Sequence, residues 1–328
     1  MKKFLFLLSL TLVSILLSLS AGSLSEISFK ELLIQILGKG SDMNGIILWQ
    51  VRLPRTIASI LVGSALGTSG ALLQSLLRNG LAGPFLLGIS AGSGLMVILA
   101  IVLGLYIAYI PLLAWFGAIF TVLLVAIISN SSNGLSIQKL ILSGVAISSL
   151  FGAIQSILLL GSDDSRIQTA LQWLIGSLNS IEWNLLWLCG AMIVAGLLGT
   201  LGILRSLDIL NLDDSMAKNM GLNISLKRFM IALIATCLSA SAVSISGLIG
   251  FVGLVAPHSA RIILSTNVPS KIVPASAALG AIFLLIADTI SRSFANEIPV
   301  GAITSLFGSP LFIILLVRMN SQKYLVNQ

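Results

Sequence analysis

His258 is the one imidazole in this 328-residue chain, and Cys189 and Cys237 are its only thiols. A lone histidine cannot build a histidine metal cluster, and H-E-x-x-H needs two on one helix face. Both cysteines lie in apolar runs, where a thiol behaves as a small hydrophobe and not as half of a disulfide framework. The carboxylates are scattered over polar segments, and only Asp288 falls well inside an apolar run. No G-x-x-x-x-G-K-[ST] occurs, so the chain has no loop of its own to cradle ATP. A membrane enzyme would need polar groups clustered at membrane depth, and the sequence lacks such a cluster. No catalytic residue, metal site or cofactor is predicted, and the chain is not read as an enzyme.

The residues that could still do something are cations and small side chains. Arg52 and Arg55 flank Pro54 just before an apolar run, where a proline fits a first helical turn. Their guanidiniums suit either snorkelling anchors or bidentate clamps for carboxylates. Arg292 follows Asp288 by one turn, a spacing that neutralises a carboxylate at membrane depth. Gly63, Gly67 and Gly70 sit among other small residues, which lets helix backbones approach closely. Gly247, Gly250 and Gly253 predict a second smooth helix face, closed by Pro257 and His258. After Arg78 and Asn79, the run Gly80–Pro84 cannot continue a helix. Irregular backbone at membrane depth is tolerated only inside protein or beside a cavity. Residues 205–228 form a polar stretch with an apolar stripe of Leu212, Met216, Met220 and Leu222, suited to a partner's groove or to ordinary solvation.

The elements that hold these residues follow from composition. The chain is 57% hydrophobic and 9% charged, where a soluble domain carries about 25% charge. A soluble fold of this size could not hide that apolar surface, and a nucleic-acid binder is excluded with it. Ten membrane-spanning helices are predicted, near 4–21, 54–77, 91–107, 111–129, 137–160, 183–204, 226–246, 248–265, 271–293 and 302–318, in one domain over 1–328. The first is read as a signal anchor, the alternative being a signal peptide cleaved near Ser20, Ala21 and Gly22. The net charge of +7 is then distributed unevenly. Lys2, Lys3, Arg78, Lys139, Arg205, Lys218, Lys227 and Arg228 all fall on the side of the termini, which the positive-inside rule makes cytoplasmic. Segments 27–37 and 166–175 read as amphipathic helices lying on the outer surface.

Taken in order, several of these motifs resemble one family. They are R-L-P-R at 52–55, L-L-R-N and L-A-G-P-F-L-L-G-I-S-A-G between 76 and 92, A-K-N-M-G-L-N at 217–223 and G-L-I-G-F-V-G-L-V-A-P-H-S-A-R at 247–261. Asp288 with Arg292, Glu297-Ile-Pro-Val-Gly301 and Gly308-Ser-Pro310 complete the set. The chain resembles the FecCD-type permeases of ABC importers for iron–siderophore complexes, haem and vitamin B12. It departs from the family pattern at Gly80, Gly83 and Asp213, where proline, an acidic residue and glycine are usual.

The resemblance implies an all-α integral membrane permease of about ten helices in the cell inner membrane. Two copies of an ATP-binding subunit would lie below it and a periplasmic or lipoprotein substrate-binding protein above. A second permease subunit, a copy or a paralogue, would complete the path. By the same resemblance, Arg52, Arg55 and Arg292 would dock the binding protein. Asp213, Asp214, Met216, Ala217, Met220 and Gly221 would couple to the ATPase. Gly63, Gly67, Gly70, Gly247, Gly250, Gly253, Pro257 and His258 would pack the helices along the path. The competing reading is a stand-alone transporter driven by an ion gradient. It calls for ionisable groups at broken helices within the membrane, and Asp288 alone qualifies.

Overall fold

The computed structural model describes residues 2–20, 35, 43–131, 134–179, 181–212, 214–294 and 297–326. Among them the chain is helical apart from a two-residue ladder pairing Asn130 with Leu135. We number the helices α1 Lys2–Ser20, α2 Asn44–Leu76, α3 Ile89–Val102, α4 Ile110–Ser129, α5 Ile137–Leu160 and α6 Asp164–Ile175. The remainder are α7 Trp183–Leu210, α8 Asp214–Asn219, α9 Ile224–Ser246, α10 Val252–Leu264, α11 Pro269–Arg292 and α12 Val300–Val326. Ten of these, all but α6 and α8, overlap the ten segments predicted to span. Six (α2, α4, α5, α7, α9 and α11) are long and apolar enough to cross a bilayer; α1, α3, α10 and α12 carry shorter apolar stretches.

Helix α2 is the axis of the molecule. Its most hydrophobic stretch is 78% buried, and those of α9 and α11, which pack on it, are 72% and 67% buried. The corresponding values for α4, α5 and α7 are 39%, 28% and 33%, so these form the periphery. Their outward side chains are large and apolar, among them Leu142, Ile157, Leu160, Trp187 and Leu198. Such a surface belongs in lipid or against another chain.

The close fit around α2 comes from missing side chains. A Cβ on Gly63 would strike the backbone of Gly280, one on Gly67 the Ser276 carbonyl, and one on Gly70 the backbone of Gly253. The first two contacts lie on α11 and the third on α10. Ser69 on α2 adds polar stitching to α9: its hydroxyl donates to the Ala235 carbonyl (2.7 Å) and accepts from Ser239 (2.6 Å).

One expectation holds and one fails, each for local reasons. Pro54 sits in the first turn of the α-helical stretch Leu53–Leu76, where its missing N–H costs little. The helical run-in from Asn44 that precedes this stretch was not expected. The helix widens to a π-turn over Ile47–Arg52, with Leu53 N–H reaching the Leu48 carbonyl, five residues back. The predicted span 248–265 is too long. Gly247 (φ 67°) and Phe251 (φ 65°) are left-handed, so α10 starts only at Val252. Gly247, Gly250 and Gly253 therefore share no helix face. At 1.5 Å per residue, α10's 13 residues reach about 20 Å, short of a hydrocarbon core of about 30 Å.

Helix α3 is likewise short. It follows a 3₁₀ turn at Pro84–Leu87 and the left-handed Gly88, and ends at Val102, five residues before its predicted end. The two irregular segments are buried against each other, Pro84 filling the space beside Gly253. Segment 166–175 is helical as α6, with Arg166 donating to the Val102 carbonyl at the end of α3 (2.7 Å). Segment 27–37 falls outside the described residues save for Gln35.

Candidate functional site

Two clusters of charge lie at opposite ends of α2. Arg55 and Arg78 are 23 residues apart, about 35 Å along a helix.

At the first end, Asp288 on α11 is fully buried. Arg55 Nε donates to its Oδ1 at 2.7 Å, and Arg292 Nε lies 3.1 Å from its Oδ2. The Asp288–Arg292 pair is the one expected from spacing; Arg55 as a second partner is not. Arg55 Nη1 also donates to Glu297 at 2.8 Å, which ties down the segment after α11. The Ser291 hydroxyl holds the same segment through the Ile298 carbonyl. The remaining cations cap α1. Arg52 Nη1 donates to the carbonyls of Leu19 (2.7 Å) and Ser20 (2.9 Å). Arg292 Nη2 donates to the Ser18 hydroxyl (2.7 Å) and carbonyl (3.1 Å). Cations at the last carbonyls of a helix satisfy orphan acceptors and oppose its dipole.

These contacts change the picture of an open arginine rim. Arg52, Arg55 and Arg292 do come together, but each is 3–4% exposed and engaged within the chain. Their geometry is that of ties among α1, α2, α11 and the loop before α12. Glu297, with its side chain 30% exposed, is the member open to solvent.

At the other end, Asp214 opens the short helix α8. Its carboxylate accepts two bonds from Arg228 Nη2 on α9 (2.9 and 2.7 Å) and one from Arg78 Nη2 (2.8 Å). Arg78 also donates to the Leu210 carbonyl at the end of α7 (2.8 Å). Its backbone is left-handed (φ 48°), which stops α2 and swings the side chain's anchor out of the helix. One carboxylate thus joins the ends of α2, α7 and α9 to α8.

The surface of α8 is shaped for contact. Ala217 is fully buried, while Met216 and Met220 are 58% and 61% exposed, and Leu212 just before the helix is 66% exposed. Gly221 (φ 78°) closes the helix: its N–H reaches the Lys218 carbonyl and Leu222 N–H the Ala217 carbonyl, a Schellman arrangement needing a left-handed residue. Asp213 falls outside the described residues.

The small residues of the third group divide. Gly63, Gly67, Gly70 and Gly253 sit in backbone-to-backbone contacts, as described. Gly247 ends α9, with the Trp173 carbonyl where a Cβ would be. Gly250 meets only Ser305 Oγ at 3.7 Å, an ordinary contact. Pro257 and His258 are buried in α10, and His258 borders a cavity of about 400 Å³ near Arg78.

Sequence reasoning missed Glu297, Arg228 and Arg78 as partners of Asp288's neighbour and of Asp214. A buried aspartate on an apolar helix calls for counter-charges, and two nearby arginines were its available signal.

Comparison with known proteins gives a consistent result. The model of the FecCD transport family matches residues 10–318. The iron(3+)-hydroxamate import system permease protein FhuG of Bacillus subtilis is 35% identical, over 95% of this chain and 95% of its own. The hemin transport system permease protein HmuU of Yersinia pestis is 36% identical, over 97% and 96%. A solved structure described as an inward-facing metal-chelate type ABC transporter covers 97% of this chain and 100% of its own, with 31% identity and a TM-score of 0.87.

Proposed function

Because the chain belongs to the FecCD transport family, we propose that it forms, with a second permease subunit, the path by which a metal chelate of the siderophore, haem or cobalamin class enters the cell. The chain is a membrane-embedded transport subunit of an ABC importer, not an enzyme. ATP is hydrolysed on separate subunits, and a substrate-binding protein delivers the cargo. The ion-gradient reading loses its candidate group, since Asp288 is already paired with two arginines.

The finer assignments are ours. The six long helices and the four shorter apolar ones form one membrane-embedded domain, with both termini cytoplasmic and the Arg55 end outside. Two copies of the ATP-binding subunit sit against α8, where Leu212, Met216 and Met220 enter a groove. The binding protein docks over the Arg52–Arg55–Arg292 end. The arginines hold that docking surface in shape from beneath, and Glu297 faces the partner. The permease pair is a homodimer, joined through the apolar periphery.

The observation that carries this reading is α8 itself. A buried Ala217, exposed methionines and a glycine-closed end make an apolar knob anchored by Asp214 to Arg78 after α2 and to Arg228 on α9. Co-purification tests it. The wild-type chain should retain its ATP-binding subunit through size exclusion, and Gly221→Pro should lose it while still folding. Retention by Gly221→Pro would remove α8 from the interface. Reporter fusions after residue 45 should read exterior and after residue 212 cytoplasmic; the reverse pattern would overturn the orientation.

A further inference from the structure

The cavity beside His258 has a composition that neither helix packing nor coupling requires. It lies where α2 ends, between α10 and the start of α11, and measures about 400 Å³. Gln74, Arg78, Asn79, His258, Arg261 and Asn267 line it, and no carboxylate does among the described residues. Among the described residues, two carboxylates on this side have partners of their own. Asp214 is held by Arg78 and Arg228, and Asp208 accepts the Ser270 N–H (2.8 Å).

Gln74 is the telling residue. It is 2% exposed, and its carbonyl oxygen accepts from Arg261 Nη1 at 2.6 Å. That bond fixes the amide, so the NH₂ is the end left over, and Gln74 Nε2 has no partner. A buried donor without an acceptor costs about 1–3 kcal/mol. Arg261 has five N–H donors and uses one of them on Gln74. The cavity is rich in donors, carries positive charge and is lined by no carboxylate among the described residues.

We propose that this cavity is a binding site for an oxyanion of the phosphate class, either free or as the headgroup of an anionic lipid. Gln74 Nε2 and Arg261 would donate to its oxygens from the buried wall, with Asn267 at the exposed rim. Basic pockets between membrane helices are suited to such headgroups. The chemistry holds whichever side of the membrane this end faces, so the site stands or falls independently of the transport assignment.

The test uses the full-length chain in uncharged detergent, without ATP-binding subunits, so that no phosphate loop competes. Inorganic phosphate is titrated against thermal unfolding, with chloride at matched ionic strength as control. In parallel, the chain is placed in nanodiscs of phosphatidylcholine alone or with phosphatidylglycerol. Saturable protection by phosphate beyond chloride is expected, weakened at least tenfold in apparent affinity by Gln74→Leu. Asn267→Asp places a carboxylate on the exposed rim without touching the core, and should weaken protection equally if Gln74→Leu fails to fold. Protection by phosphatidylglycerol that phosphate competes away identifies the lipid as the source; protection by phosphate alone identifies the free anion. No protection by either probe, or protection unchanged in Asn267→Asp, would overturn the proposal.

Discussion

The two charge clusters at the ends of α2 use the same side chains for opposite ends. Around Asp288, the carboxylate is fully buried and its arginine side chains are 5% exposed. Around Asp214, the carboxylate is 42% exposed, Arg78 39% and Arg228 15%. Water decides the difference. Removing one partner of a buried pair strands an uncompensated charge and costs about 3–5 kcal/mol. An exposed pair is worth about 0.2–1 kcal/mol, because solvent replaces the lost partner. The Asp288 cluster is therefore a structural tie, and the Asp214 cluster is a joint that can be strained or released without unfolding.

Breaking the buried cluster should have the largest effect. Asp288→Ala leaves Arg55 and Arg292 facing each other and is expected to destabilise by about 3–5 kcal/mol. Fluorescence-detected size exclusion should show loss of the folded peak, and near-wild-type yield would remove the tie. Close behind is Gly67→Leu, whose side chain must displace the Ser276 backbone on α11. Overpacking of this kind costs about 1–3 kcal/mol, read as a lowered midpoint of thermal unfolding in detergent. Gly250→Ala is its control, since Gly250 has room, and should unfold within a degree of wild type.

The exposed cluster should respond in the other way. Asp214→Asn is expected to change stability by less than about 1 kcal/mol. It should nonetheless lower substrate moved per ATP hydrolysed, because α8 loses its anchor to α2 and α9. A fall in stability matching that of Asp288→Ala would erase the contrast between the two ends. The smallest stability effect is assigned to Met216→Glu, within about 0.5 kcal/mol as for other surface changes. Its readout is weaker retention of the ATP-binding subunit.

The positions of the helices were legible because each is an apolar run bounded by charges or turn residues, and lipid forces such runs to be helical. Around the glycines at 247–253 and beyond Gly88 the bounds were misread. Nothing in the order of residues 247–251 announces that Phe251 adopts φ 65°, a conformation imposed by packing. Pro54 was legible as a first-turn residue, but the π-turn at Ile47–Arg52 before it has no sequence signature. The Asp288–Arg292 pair was visible at i,i+4. Arg55 with Glu297 spans 242 residues, and Arg78 with Asp214 spans 136. Pairs so distant are set by tertiary packing alone. The three arginines come together, but their burial could not be read from a motif at the edge of a span.

The central claim is that this chain moves its cargo with ATP hydrolysed elsewhere. Sealed proteoliposomes carrying the chain and its ATP-binding subunit, with ATP on the α8 side and the loaded binding protein on the other, test it most directly. Uptake of an iron hydroxamate, haem or cobalamin should persist when an ionophore collapses all ion gradients, and should stop when the ATP-binding subunit is left out. Uptake by the chain alone, driven by an imposed ion gradient, would contradict the account.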